Sequence, residues 1–307
     1  MKAPDQNLGA RPIQLKEQKL QLQDIILQYS VQNNSVTITG MEGFRAALAV
    51  PETIENLPVT AIGKKAFLCK SCLERVIMPK TVARLEDYAF AQCGRLQEVE
   101  APGEVSLGTG VFKGCKSMEQ LALGEISPNA QILTAALCCH LKADYLLSDP
   151  ERGSERWFER WDQCLRSFLE EDDEENYHDL VFCGEEDIGI RMQDQILEEK
   201  KLKAYLCFLR LAHPASLKEG GRRAFTEYLL HHTKGCASEE AWQVLTEQLK
   251  DQMQYFKLFA DLGGVTKDNL DGMISDLDET QTEAKAFLIR FREEHFGEYD
   301  IFAEFTL

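Results

Sequence analysis

Cys69-Lys70-Ser71-Cys72 has the spacing of half a zinc site or of a redox dithiol. Zinc needs a second pair of ligands, and the chain holds no other Cys-x2-Cys and no His-x3–5-His. A redox dithiol needs a helix N-terminus to hold its thiolate, whereas this pair falls inside a repeated unit. Cys138-Cys139-His140 offers a nucleophile beside a base, but neighbours on a helix point about 100° apart and do not hydrogen-bond easily. His231 and His232 are adjacent in the same way, so only one can face a common metal, and an exposed or capping role fits them better. Glu185-Glu186-Asp187 and the acidic block 170–175 suggest loose calcium binding. The central glycine and terminal glutamate of an EF-hand loop are missing, which favours a solvated surface. No Walker-type loop, Gly-x-Gly-x2-Gly or Gly-x-Ser-x-Gly is present. The expectation is a protein that is not an enzyme, with no catalytic residue, no metal and no cofactor.

The elements around these residues carry more information. Between Ala61 and Leu123 three copies line up in phase: Ala66-Phe67-x5-Leu73-x2-Val76, Ala89-Phe90-x5-Leu96-x2-Val99 and Val111-Phe112-x5-Met118-x2-Leu121. The phenylalanines recur after 23 and then 22 residues, as do Ile62, Leu85 and Leu107 ahead of them. A fixed period of this length with apolar residues in phase predicts a solenoid. Each unit is too short to enclose a core and must bury its apolar side on its neighbours. Val76-Ile77-Met78, Val99-Glu100-Ala101 and Leu121-Ala122-Leu123 read as short strands whose side chains alternate between faces. Val76 and Met78 then point inward. Arg75 and Ile77, Glu98 and Glu100, and Gln120 and Ala122 point outward. The Ala-Phe pair falls on the opposite wall and stacks one ring per coil, with Cys93 and Cys115 beside that column as buried apolar groups.

This pattern resembles the BspA-like leucine-rich repeats of bacteria, whose unit reads Ile-Gly-x2-Ala-Phe-x2-Cys-x2-Leu-x2-Val-x2-Pro. Ile62-Gly63-Lys64-Lys65-Ala66-Phe67 matches its opening, and Pro79 and Pro102 match its end. The lead-in is similar too: Tyr29-Ser30-Val31, Val36-Thr37-Ile38-Thr39-Gly40, Val50-Pro51 and Leu57-Pro58-Val59-Thr60. The resemblance covers roughly residues 29 to 123. Lys70 departs from the cysteine of the first unit, and Val111 from the alanine of the third. The resemblance implies a binding surface, often on secreted adhesins, without a common ligand.

A chain of 307 residues accommodates two domains, each with its own core. Residues 1–126 hold 14 basic and 14 acidic residues, while 127–307 hold 20 basic and 37 acidic, so the second part carries the whole net charge of −17. That shift, together with the end of the repeat, places the expected boundary between 126 and 127. The acidic second part argues against nucleic acid or an anionic membrane as a direct partner, since both would be repelled. No stretch approaches the roughly 20 apolar residues of a membrane helix. The first 30 residues read as a polar lead, helical from Leu15 to Leu27, without the apolar core of a signal peptide. A cytoplasmic location with reduced thiols follows at face value. A secreted or cell-surface location is the alternative if a leader was removed.

From Ser127 onward the apolar period becomes helical. Ser127-Pro128 and Ser154 read as helix starts, and His213-Pro214 and Gly263-Gly264 as stops. Ser216-x2-Glu219 and Thr280-x2-Glu283 read as capping boxes, with Ser238 and Thr266 opening further helices. Phe256 to Phe291 looks like degenerate ankyrin-type helix pairs without the ankyrin turn motif. The expected fold is α+β by segregated domains: a short leucine-rich repeat β-solenoid with an N-terminal cap over 1–126, then an acidic all-helical repeat or bundle domain over 127–307. The expected function is that of an interaction or scaffold protein for a protein or peptide partner, held by Arg75, Ile77, Glu98, Glu100, Gln120 and Ala122 or by the acidic helices. A cell-surface adhesin of the BspA-like type is the alternative.

Overall fold

The computed structural model describes residues 17–141, 143–171 and 188–297. The chain divides into two units, residues 1–150 and 151–307. The first holds two sheets, one wholly parallel and one that joins an antiparallel meander to parallel strands. The second is entirely helical among the described residues.

From Gln18 onward the expected helix is strand instead, while Leu15 and Lys16 lie outside the described residues. β1 (Gln18–Leu22) and β2 (Ile25–Gln32) pair antiparallel around a turn in which Gln23 adopts φ 48°. The apolar residues that suggest a helix run as Leu20, Leu22, Ile25, Leu27 and Tyr29, which is period two with a turn inserted. β3 (Ser35–Gly43) returns through Asn33 and Asn34, both left-handed as a tight hairpin requires. The meander caps one sheet, ordered β1-β2-β3-β6-β8-β10, where β6 is Leu57–Ile62, β8 Arg84–Leu85 and β10 Ser106–Leu107, with β5 (Thr53–Ile54) paired to β6. The second sheet runs β4 (Ala47–Ala49), β7 (Arg75–Ile77), β9 (Glu98–Ala101) and β11 (Gln120–Leu123), all parallel.

Each coil drops one phenylalanine between the sheets. The Phe67 and Phe90 rings stack at 4.9 Å and 7°, and Phe90 and Phe112 at 5.6 Å and 16°. The cysteines do more than fill space. Cys93 Sγ donates to the Phe67 carbonyl at 3.0 Å and Cys115 Sγ to the Phe90 carbonyl at 3.1 Å, so each thiol serves the coil before it. In the first coil Lys70 stands at the equivalent position. Two residues per coil are left-handed at equivalent places: Lys65, Tyr88 and Gly110, then Cys69, Gln92 and Gly114.

α1 (Pro128–Cys139) closes the last coil. Ser127 Oγ accepts from the Ala130 N–H at 3.3 Å with Pro128 in the first turn. Ala135 joins the solenoid core, and Cys139 Sγ donates to the Cys115 carbonyl at 3.2 Å, continuing the thiol ladder from the helix. α1 and α2 (Asp144–Leu147) therefore fall in the first unit, and its end lies 24 residues beyond the expected 126.

In the second unit α3 (Glu155–Glu170) starts at Ser154, whose hydroxyl accepts from the Trp157 N–H at 3.2 Å. It buries Trp157, Phe158, Trp161 and Leu165. α4 (Ile188–Ala212) touches α3, α5 (Glu219–His231), α6 (Glu240–Gln243) and α7 (Met253–Asp261). Leu206, Cys207, Phe208, Leu209, Arg210 and Leu211 are buried in succession, the pattern of a central helix covered on all sides. Arg210 is fully buried, bound in bidentate fashion by Asp162, and donates to the carbonyls of His213 and Ala215. That grip fixes a turn with Ser216 at φ 52°, so Ser216 does not cap α5, which begins after Lys218 with no side-chain cap.

α6 likewise begins at Glu240 without help from Ser238, and it runs into a π-helical turn over Val244–Gln248. Thr266 and Asn269 exchange side-chain and backbone hydrogen bonds ahead of α8 (Leu270–Asp276). α9 (Thr282–Phe296) is opened not by Thr280 and Glu283 but by Asp278 and Gln281. Asp278 Oδ1 accepts from the Thr280 and Gln281 N–H groups, and Gln281 Oε1 accepts from the Asp278 N–H. Gly263, at φ 85°, ends α7.

Candidate functional site

The parallel registers set the outward side chains of four strands in two rows. Ala47, Arg75, Glu98 and Gln120 form one row; Ala49, Ile77, Glu100 and Ala122 form the other. Inward neighbours Leu48, Val76, Val99 and Leu121 are buried at 1% exposure or less, so the alternation is rigidly specified. Strand spacing of about 4.8 Å makes the two rows one compact face. Arg75 lies between two acids: its Nε is 3.1 Å from Glu98 and its Nη2 2.6 Å from Glu100. All three side chains are about half exposed, so these pairs order the surface more than they stabilise the fold. Ile77 sits beside them 37% exposed, an apolar centre on a charged surface.

The six residues expected from the sequence thus share one face. The first rung, Ala47 and Ala49, escapes a reading that begins at Ala61. Its signal is Leu48-Ala49-Val50-Pro51, which repeats the pattern of Val76-Ile77-Met78-Pro79 after 28 residues, out of step with the period of 22 or 23.

Among the described residues, the other constellations show no catalytic geometry. Cys69 is an exposed left-handed residue whose N–H donates to the Ala91 carbonyl at 2.9 Å, and Cys72 is half-buried against the solenoid core. Neither sits at a helix N-terminus. Burial pushes the Cys139 thiol up to about 12 and holds His140 below the ordinary imidazole value. An activated thiolate needs the opposite environment. His231 is exposed, while the His232 ring stacks on Tyr228 at 4.1 Å with Nδ1 2.7 Å from the Tyr228 carbonyl. Glu185-Glu186-Asp187 and most of block 170–175 lie outside the described residues. Among the described residues no group of three or more His, Cys, Asp or Glu side chains is placed to hold a metal, and no helix is long and apolar enough to cross a membrane. An open pocket of about 260 Å³ lies on the other sheet, lined by Lys64, Arg84, Leu85, Glu86, Asp87, Ser106 and Gly108.

Residues 21–134 match the family model for the BspA type leucine rich repeat region, in six copies. This part of the chain is a repeat region of that type. No curated protein matches the chain. Among solved structures, the chain resembles a leucine rich repeat protein of T. pallidum with 28% identity and a TM-score of 0.31, over 32% of this chain and 47% of that one. A leucine rich cell surface protein of Faecalibacterium prausnitzii matches at 23% identity and a TM-score of 0.31, over 34% of this chain and 30% of that one. A leucine-rich repeat protein of Bacteroides ovatus matches at 21% identity and a TM-score of 0.32, over 39% and 33%. In each case less than half of the solved chain is spanned.

Proposed function

We propose that this BspA-type repeat region makes the chain a non-enzymatic interaction protein, which holds a protein or peptide partner on the face of β4, β7, β9 and β11. The observation that carries the reading is the half-exposed Ile77 ringed by Arg75, Glu98 and Glu100 on a sheet whose other side is fully packed. An apolar centre with a polar, charged rim is the anatomy of a protein-binding patch. A small-molecule site is concave and mostly apolar instead. Stacked repeats make extended surfaces of this kind rather than pockets. Four rungs are a small area, so the acidic helices would add contacts to the same partner.

The test is affinity capture from the source cell with the native chain and Ile77→Glu, alongside their melting curves. Capture should be lost in Ile77→Glu while the melting temperature stays nearly unchanged, because the side chain is already part-exposed. Unfolding of the variant would mean that Ile77 packs inside the protein. Undiminished capture would move the binding surface elsewhere, most plausibly onto the acidic helices.

A further inference from the structure

β4 ends its sheet, and nothing in the described chain pairs with its outer side. Its inner side is committed: the Ala46 carbonyl accepts from the Arg75 N–H at 3.0 Å, and the Val50 N–H donates to the Ile77 carbonyl at 2.9 Å. Backbone groups of a parallel strand alternate sides. The N–H and C=O of Ala47 and of Ala49 therefore point away from β7, four main-chain groups on an exposed edge. Natural edge strands are commonly blunted by charge, proline or a bulge, but Ala47-Leu48-Ala49 carries none of these. The other sheet is closed at the same end by the β1–β3 meander, and β11 at the far end packs against α1. Among the described elements, β7 is the strand that pairs with β4, and neither a meander strand nor α1 pairs with its outer side.

The apolar surface points to the same place. The described residues leave three large apolar side chains exposed, and two of them flank β4. Phe44, 84% exposed, precedes it by three residues, and Ile77 lies across from Ala49. Alanine at 47 and 49 leaves a low step, so a side chain on an added strand about 4.8 Å further out would lie over Ala49 onto Ile77.

We propose that β4 is a strand-addition site, which takes an extended segment of a partner protein as a fifth strand, with apolar residues at alternate positions meeting Phe44 and Ile77. The proposal rests on the reading of this face as protein-binding and names the form of the partner. Main-chain hydrogen bonds supply affinity in this mode, and alternate side chains supply specificity. A second copy is a poorer occupant. Antiparallel pairing of two β4 strands about Leu48 sets Phe44 of each against Glu52 of the other, which gives the ring no apolar partner.

The experiment selects binders to the full chain from a phage-displayed library of random dodecapeptides and measures synthetic winners by fluorescence anisotropy. Winners should alternate apolar residues. N-methylation of the backbone at their edge-facing positions should weaken them at least about tenfold, as loss of two hydrogen bonds implies. Ala49→Pro deletes only an outward N–H, a change that edge strands tolerate, and should weaken binding similarly with an unchanged circular dichroism spectrum. Ile77→Glu should also weaken it. Winners that ignore N-methylation and Ala49→Pro but are lost with Ile77→Glu would overturn strand addition while leaving the binding face standing. Winners insensitive to all three changes would overturn both readings. An absence of winners would overturn the peptide occupant, and dimerisation abolished by Ala49→Pro would assign the edge to a second copy. Should Ala49→Pro fail to fold, the N-methylated peptides decide alone.

Discussion

Single side chains in the repeat unit serve their neighbours across the coil more than along the chain. Phe90 lies between two stacked rings and is fully buried, so Phe90→Ala removes both stacking partners' contacts at once. A loss of about 3–5 kcal/mol in chemical denaturation is expected, the range for buried aromatics. A loss below about 1 kcal/mol would contradict the stacked column. The thiols follow the same logic. The Cys115 thiol beside it and then burial hold the Cys93 thiol well above its ordinary range, and burial does the same to Cys207. Cys69 and Cys236 are exposed. A maleimide at neutral pH should therefore label Cys69 and Cys236 in the native protein, and Cys93, Cys115 and Cys207 only after unfolding, as read site by site by mass spectrometry. Native labelling of Cys93 would mean that the ladder to the Phe67 carbonyl is open.

Elements in this chain were legible in the sequence where their period repeats and obscure where it does not. The strand triplets around Val76, Val99 and Leu121, and the outward row from Arg75 to Ala122, follow from alternation within a 22- or 23-residue unit. The first rung at Ala47 and Ala49 lacks the Ala-Phe half of the unit, so only its Val50-Pro51 end announced it. β1 and β2 mimic a helix because a left-handed turn at Gln23 shifts the phase of an otherwise period-two pattern. Ser216 does not start α5, because Arg210, held by Asp162 from α3, grips the His213 and Ala215 carbonyls and sets the turn before it. One coil turn shows how neighbouring coils set local choice. Lys65, Tyr88 and Gly110 share the same left-handed backbone, so φ alone does not demand glycine at 110. A Cβ on Gly110 would meet the Tyr88 ring at 2.8 Å, however, which makes glycine the partner of that tyrosine. Gly110→Ala should cost on the order of 1–2 kcal/mol. In a Tyr88→Ala background most of that cost should disappear in a double-mutant cycle. Equal costs in both backgrounds would show that the backbone, and not the ring, selects glycine.

At the scale of the whole molecule, the charge shift near residue 126 and the structural division at 150 measure different things. Charge reports what faces water, whereas a folding unit ends where an apolar face is finally covered. The last coil exposes Phe112, Met118, Leu121 and Leu123 on one side unless something packs there, and a terminal repeat cannot bury that side itself. α1 does so with Ala135 in the solenoid core and with the Cys139 thiol on the Cys115 carbonyl. A fragment of residues 1–150 should then melt in one cooperative transition with the circular dichroism of a β-rich protein. A fragment ending at 126 retains every repeat but loses its cover, and should melt at least about 10 °C lower or associate through the bare coil. That shift corresponds to a loss of about 3 kcal/mol or more in a domain of this size. Ser127→Ala in the 1–150 fragment should lower the melting temperature by an intermediate amount, because it removes one helix cap worth about 1 kcal/mol and leaves the helix in place. Equal stability of the two fragments would show that the strands finish the unit at Leu123 and that α1 belongs with the acidic helices.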